Sequence, residues 1–281
     1  MTLFRLISDT HMELTRKNFV RLPSLPSDAD TVLILAGDIG TWKQVTSWMI
    51  AIKQQFAQII WVAGNHEYYG QEMGFMQRQI RRRLAGHENL HFLENDYLEL
   101  DNCLLVGATL WTDMGDDDPQ AMAVCAQYMN DYHNISLGDV EDKRLLTPQD
   151  TMSLHRTSLA YFEQVIGHAT KPVIIISHHA PSFSTVTDED IGFFDDRIQC
   201  AYASNLYDWL DARKRKVVAW CHGHTHKSMT YRLADVPVLT NAKGYHNEKT
   251  GFKADWVFTL SEDALIHDGY DSHSTKTTKP E

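Results

Sequence analysis

The chain has 281 residues, 43% of them hydrophobic, with seven Trp, eleven Phe and eleven Tyr. That composition buries one large core or two modest ones and excludes a disordered chain. A net charge of −11 argues against a protein that coats nucleic acid or lies on a membrane surface, since both need a basic face.

No apolar run is long enough to span a bilayer. Cys103, Cys125, Cys200 and Cys221 are scattered without a CxxC spacing, which fits a reduced, cytoplasmic compartment. Residues 3–7 enter a strand at once and run into Asp9-Thr10-His11, so no removable signal peptide is expected. The β-formers 32–35 lead to Gly37-Asp38, and a helix is expected over 45–56. Strand 59–62 leads to Gly64-Asn65-His66-Glu67, followed by a helix over 71–84. This alternation predicts parallel strands with right-handed crossovers, in which ligands gather at the carboxyl ends of the strands.

Residues 97–100 and 103–109 read as a hairpin turning at Asp101-Asn102. The stretch 112–162 stands outside the alternation. Asp118-Pro119 and Thr147-Pro148 open two expected helices, 119–131 and 148–166. They form either a lid-like helical insertion over the polar clusters or a pair packed on a flank. Strand 173–176 then leads to His178-His179-Ala180-Pro181. A helix over 204–213 and strand 217–220 lead to Gly223-His224-Thr225-His226, with antiparallel strands expected at 229–233, 236–240 and 256–260. Two sheets packed together and flanked by helices fit this inventory, as a single domain over 1–271. The Lys/Thr-rich tail, 272–281, is expected to be disordered.

Five clusters of carboxylate, imidazole and carboxamide donors, each following a run of β-formers, describe a two-metal hydrolytic centre. Asp38 is the natural bridge, because its cluster has no second protein ligand. Asp9 and His11 alternate along an extended backbone and can reach one ion; His224 and His226 share the same spacing. His178 and His179 face opposite ways on a strand end, so only one of them is expected as a ligand. With Asp9 and Asp38 as the anionic ligands, two divalent ions and a hydroxide leave about one positive charge to attract a phosphoryl oxygen.

The set Asp-x-His, Gly-Asp, Gly-Asn-His-Glu, His-x-Pro and Gly-His-x-His, spanning residues 9–226, resembles the signature of the calcineurin-like metallophosphoesterase superfamily. The resemblance implies a four-layer α/β/β/α sandwich and a dinuclear centre of divalent ions, with manganese favoured and iron, zinc or cobalt also suited. It implies hydrolysis of phosphate esters by a metal-bridging hydroxide. Asp9, His11 and His226 then hold one ion. Asn65, His179 and His224 hold the other, and Asp38 bridges; His179 is preferred because it satisfies His-x-Pro through Pro181. His66 matches the family's non-ligand histidine that assists the leaving group. The protein-phosphatase branch has Asp-Arg-Gly where this chain has Thr41-Trp42-Lys43. The purple acid phosphatases place a Tyr ligand where it has Thr41. Neither branch fits.

Tyr69, Asn130, Tyr132 and His133 are candidate substrate contacts, and His178 and His222 candidate supports behind the ligands. The favoured reading is a phosphodiesterase acting on a small or nucleotide-like substrate. The alternatives are a phosphomonoesterase of the same fold and a non-catalytic metal-binding scaffold. No membrane partner is expected, nucleic acid is disfavoured, and the oligomeric state is left open.

Overall fold

Burial explains the centre of the first sheet. β2 (Thr31–Ala36) is buried at every position, as a parallel strand covered on both faces must be. It pairs in parallel with β1 (Leu3–Ile7) and β3 (Gln58–Val62). With β4 (Leu90–Phe92) and the antiparallel β13 (Val257–Phe258), the order is β13-β1-β2-β3-β4. The computed structural model describes residues 2–15, 20–139, 141–187 and 195–260; the expected tail, 272–281, lies outside them.

The second sheet comprises β5 (Asp96–Glu99), β6 (Leu104–Ala108), β9 (Val173–Ser177), β10 (Val217–His222), β11 (Ser228–Leu233) and β12 (Val236–Asn241). Its order is β11-β12-β10-β9-β6-β5. β6, β9, β10 and β12 run parallel, and β5 and β11 close the two edges antiparallel. Ala234 and Asp235, both at positive φ, make the tight turn between β11 and β12.

The sheets face each other across one apolar layer, where Phe4, Leu6, Val32, Ile34 and Ile60 meet Leu105, Ile174, Ile176, Ala219 and Leu239. Helices cover the outer faces. α1 (Trp42–Ile52) and α3 (Met73–Leu84) bury Val45, Trp48, Met49, Met76 and Ile80 against Leu33, Leu35, Ile59 and Trp61. The single turn α2 (Asn65–Tyr68) follows β3 directly. α7 (Pro148–His168) buries Phe162, Val165 and Ile166 against Val173, Ile175 and Trp220. The four-layer sandwich expected from the sequence is the fold observed. At one end the sheets are stitched together: Ser8 bridges Ala242, and Asn241 donates to the Leu6 carbonyl at 2.8 Å.

Caps move several helix boundaries. α1 starts three residues before its expected position because Thr41 and Gln44 form a capping box. The expected helix 119–131 is two pieces. α5 (Pro119–Tyr128) ends where Met129 turns extended, and the single turn α6 (Asp131–Asn134) follows. α4 (Met114–Asp117) is one left-handed turn, with positive φ at all four residues. An unforeseen two-stranded hairpin, β7 (Ser136–Leu137) with β8 (Arg144–Leu145), fills the expected loop. Within 112–162, Met114, Met122, Cys125, Met129 and Tyr132 join the core of the first sheet and its helices. The helix expected over 204–213 covers only Tyr207–Asp211.

Candidate metal centre

Parallel strands bring the five clusters to one edge. The loops after β1, β2, β3, β9 and β10 carry Asp9/His11, Asp38, Asn65/His66, His178/His179 and His224/His226. The backbone there is not the extended chain expected from the spacing. Asp9, His11, Asp38, His224 and His226 all have positive φ, between 45° and 70°. Such conformations cost roughly 1–3 kcal/mol each in non-glycine residues and persist where the surroundings enforce them. The enforcement is visible. The Asp9 carboxylate accepts the His224 N–H, and the buried Glu67 carboxylate accepts N–H bonds from Gly64, Asp38, Ile39 and Gly40 at 2.7–3.3 Å. Close approach fixes Gly64 as well, since a Cβ there would collide with Asp38 Oδ1 and His178 Nε2.

One half of the cluster is Asp9, His11 and His226. His11 Nε2 lies 3.1 Å from His226 Nε2, and His226 Nε2 lies 3.6 Å from Asp9 Oδ1. The opposite nitrogens are anchored on carboxylates: His11 Nδ1 on Glu13 at 2.9 Å and His226 Nδ1 on Glu248 at 2.6 Å. An ionised carboxylate only accepts, so each Nδ1 donates its proton and each Nε2 presents a lone pair. Two lone pairs facing at 3.1 Å suit a shared cation.

Asp38 joins this half to the next. Its Oδ1 accepts the His66 N–H at 2.9 Å. Its Oδ2 lies 3.9 Å from His11 Nε2, 4.0 Å from His66 Nε2 and 3.4 Å from His178 Nε2. Ligand atoms of Asp38, His178 and His224 converge within 4.8 Å, as do those of Asp9, His11 and His226, and those of His11, Asp38 and His66. Among the described residues His224 Nε2 is buried without a hydrogen-bond partner, the kind of orphan that a cation would satisfy. Nitrogen donors with a few carboxylate and carboxamide oxygens fit a divalent transition ion.

The geometry reverses the expected order of the histidine pair. His178, not His179, faces the cluster: its Nε2 is 3.1 Å from Asn65 Oδ1, and its Nδ1 rests on the Ala36 carbonyl at 2.9 Å. His179 Nδ1 is taken by the Thr109 carbonyl at 3.2 Å, and its ring packs against Trp111 and His224. The preference for His179 counted residues to Pro181, which says nothing about which ring the strand end turns inward.

His66 sits between the cluster and solvent. Its Nδ1 is 3.1 Å from Glu13 Oε1, its Nε2 is 3.4 Å from the Tyr245 hydroxyl, and its ring lies 4.5 Å from that of Tyr69. Tyr69 is close to the site, but its hydroxyl is spent on Asp131 at 2.7 Å. Of the three residues expected to face substrate from the 112–162 segment, Tyr132 is buried on Thr151 and Met114, and His133 is exposed with its ring on the Gln127 carbonyl. Asn130 is exposed, its carbonyl accepting the His133 and Asn134 N–H groups. The residue that does reach the cluster is the one between them, Asp131, whose Oδ1 accepts from Asn65 Nδ2 at 2.8 Å. His222 turns to the Gly223 carbonyl and, at 3.4 Å, to the Tyr231 hydroxyl. Glu13 and Asp131 were not singled out by sequence reasoning. Glu13 continues the Asp9-x-His11 alternation and could have been; Asp131 has no local signal.

Without ions the cluster divides its charge unevenly. Burial opposes a charged His178, but Asp38, Asp9 and the Ala36 carbonyl outweigh it and raise its pKa to about 10. Burial likewise opposes His66, yet Asp38 and Glu13 raise it to about 9. Asp38 is held well below the usual carboxylate range, because His178, His66 and His11 outweigh its burial. Half-buried Glu13, hydrogen-bonded to His11 and His66, is lowered to about 2. Burial, reinforced by the neighbouring His178, lowers His179 to about 3; it also lowers His224, with His179 and His178 adding to the shift.

A family model described as calcineurin-like phosphoesterase matches residues 3–228. An uncharacterized protein of Acanthamoeba polyphaga mimivirus is 26% identical over 272 residues, covering 90% of this chain and 94% of its own. Among solved structures, phosphopantetheinyl hydrolase from Mycobacterium tuberculosis is similar with a TM-score of 0.64 and 16% identity, over 88% of this chain and 93% of that one. The protein TT1561 of Thermus thermophilus gives a TM-score of 0.50 and 10% identity, over 86% and 89%. At such identities the structural likeness speaks to the fold.

Proposed function

The chain belongs to the calcineurin-like phosphoesterase family and is a metal-dependent phosphoester hydrolase; from that premise we propose a dinuclear centre that hydrolyses a small phosphodiester. The observation that carries the dinuclear reading is Asp38 Oδ2, set between His11 Nε2 and His178 Nε2 at 3.9 and 3.4 Å. Asp9, His11 and His226 would hold one ion, Asn65, His178 and His224 would hold the other, and Asp38 would serve both. Manganese suits this imidazole-rich set, and iron, zinc or cobalt would also fit it. When bound, the ions supply positive charge for the phosphoryl oxygens and lower the pKa of a water.

His66 is the acid. Glu13 takes its Nδ1 proton in a hydrogen bond and so turns Nε2 toward the reacting group. Its Nε2, 4.0 Å from Asp38 Oδ2 and 3.4 Å from the Tyr245 hydroxyl, lies on the solvent side of the cluster, where it can give a proton to the departing oxygen. Tyr69 and the exposed Tyr245 flank it and offer ring surface to an aromatic or nucleotide-like leaving group.

Charge favours a diester. Glu13, Glu248 and Asp131 add carboxylates around a cluster already holding Asp9 and Asp38. A monoester carries a charge of about −1.5 to −2 at neutral pH, whereas a diester carries a single charge, so the acidic surroundings repel the monoester more. His66, a donor placed to protonate a poor leaving group, is the feature that supports a monoesterase instead. Four free thiols support a reduced, cytoplasmic location, and no described helix is long and apolar enough to cross a membrane.

The test is a panel on manganese-reconstituted protein: bis-(p-nitrophenyl) phosphate, p-nitrophenyl phosphate, and cyclic and linear nucleotides. Faster turnover of the diesters, abolished by chelation, is expected. Faster turnover of the monoesters would overturn the diester assignment, and full activity in excess chelator would overturn the metal centre.

A further inference from the structure

Asparagine is an ambiguous ligand. Its amide carries an oxygen that can bind a cation and, at the same distance from the chain, an NH2 that cannot. At Asn65 the Oδ1 end faces the cluster, 3.1 Å from His178 Nε2. The Nδ2 end meets a closed triangle: it donates to Asp131 Oδ1 at 2.8 Å and to the Tyr69 hydroxyl at 3.2 Å, and that hydroxyl donates to the same Asp131 oxygen at 2.7 Å. Asp131 is 2% exposed, so no water competes for the contact.

We propose that Asp131 is a positioning residue that selects the oxygen end of Asn65 for the second metal half-site. An ionised carboxylate has no proton to give, so only the NH2 end of the amide can face it. The flipped amide would set oxygen against oxygen in a buried site and aim two N–H groups at a cation. The segment that carries Asp131 is pinned to the loop following Asn65. Gly70 donates to the Asn134 carbonyl at 2.7 Å, the Ser136 N–H donates to the Gln71 carbonyl at 3.0 Å, and Glu72 bridges Ser136. Asp131 therefore reaches the centre through a ligand's far end, although Asn130 before it and His133 within α6 are exposed to solvent.

The inference rests on Asn65 being a ligand of the second ion, and Mn²⁺ binding to the full chain, counted and titrated, separates the two ideas. Asp131→Leu should leave the tighter Mn²⁺ in place and weaken the second about 10–100-fold, the usual effect of losing a group that orients a ligand. Asp131→Asn should bind within a few-fold of the parent, because its amide oxygen can still accept from Asn65 and Tyr69. The exchange Asn65→Asp with Asp131→Asn should likewise keep two ions, since oxygen now faces the metal whichever way residue 65 turns. That double variant decides the matter if Asp131→Leu does not fold. Unweakened second-ion binding in Asp131→Leu, or loss of the second ion in the exchange variant, overturns the proposal. Asn65→Ala identifies which idea has failed: if it too keeps both ions at parental affinity, Asn65 is not a ligand; if it loses one, only the role of Asp131 falls.

Discussion

The two halves of the cluster are built on different supports. In the Asp9/His11/His226 half, both imidazoles lean on carboxylates, Glu13 and Glu248, and Glu248 reaches solvent. In the Asn65/His178/His224 half, His178 leans on a neutral backbone carbonyl, His224 Nε2 has no partner among the described residues, and Asn65 donates to Asp131. A carboxylate behind an imidazole raises its donor strength, and a carbonyl does so less. The first half should therefore bind its ion more tightly, and the second should be the one that neighbouring packing controls.

Breaking the second half gives the largest expected effect. His178→Ala removes a ligand, should cost one ion, and should lower turnover roughly 10⁴-fold, because a metal's share of the barrier is several kcal/mol at about 1.4 kcal/mol per decade. His179→Ala should keep both ions. Metal analysis beside rates checks the pair, and the reverse pattern would restore His179 as the ligand.

His66→Ala should lower turnover about 10²–10⁴-fold while both ions stay bound. The loss should be greatest for leaving groups of high pKa, and rates across phenols of graded acidity read this out. A deficit independent of leaving-group pKa would make His66 a phosphate contact only.

Glu13→Gln sharpens the comparison on the first half. It should weaken the tighter ion by about 10–100-fold and lower turnover, since Glu13 holds both His11 and His66. A variant with parental affinity for that ion would show that the carboxylate support is not what separates the halves.

The smallest effect is on the stability of chelator-stripped protein. His66 is raised from 6.5 to about 9, so the stability it contributes is fully present below pH 6.5 and is lost as pH rises through about 9. Glu13 is lowered from 4.5 to about 2, so its contribution is present above pH 4.5 and is lost as pH falls through about 2. Thermal melts should show Tm falling on both sides of a plateau. A Tm that rises between about pH 7 and 9 would contradict the charge assignment at His66.

Much of this was legible in the chain because local patterns carried it. The βα alternation and the polar residues closing each strand predicted the two sheets, their parallel order and the edge where the clusters meet. What escaped depended on three-dimensional approach. Counting residues to Pro181 could not tell His178 from His179, because the choice is made by the Ala36 carbonyl on a different sheet. Extended backbone was the natural reading of Asp-x-His, yet Asp9 and His11 turn left-handed under hydrogen bonds between the loops. Asp131 lies 66 positions from Asn65 and follows no motif; only the pinning of α6 brings it there. Helix ends shifted where side-chain caps, such as Thr41 with Gln44, overrode hydrophobic periodicity.

If Asp38 joins two unequal half-sites, a Mn²⁺ titration followed by electron paramagnetic resonance will show it. Two ions should bind, the first tighter than the second, with a spin-coupled signal appearing as the second loads and absent in Asp38→Ala. One ion in fully active protein, or two ions of equal affinity with no coupling, would contradict it.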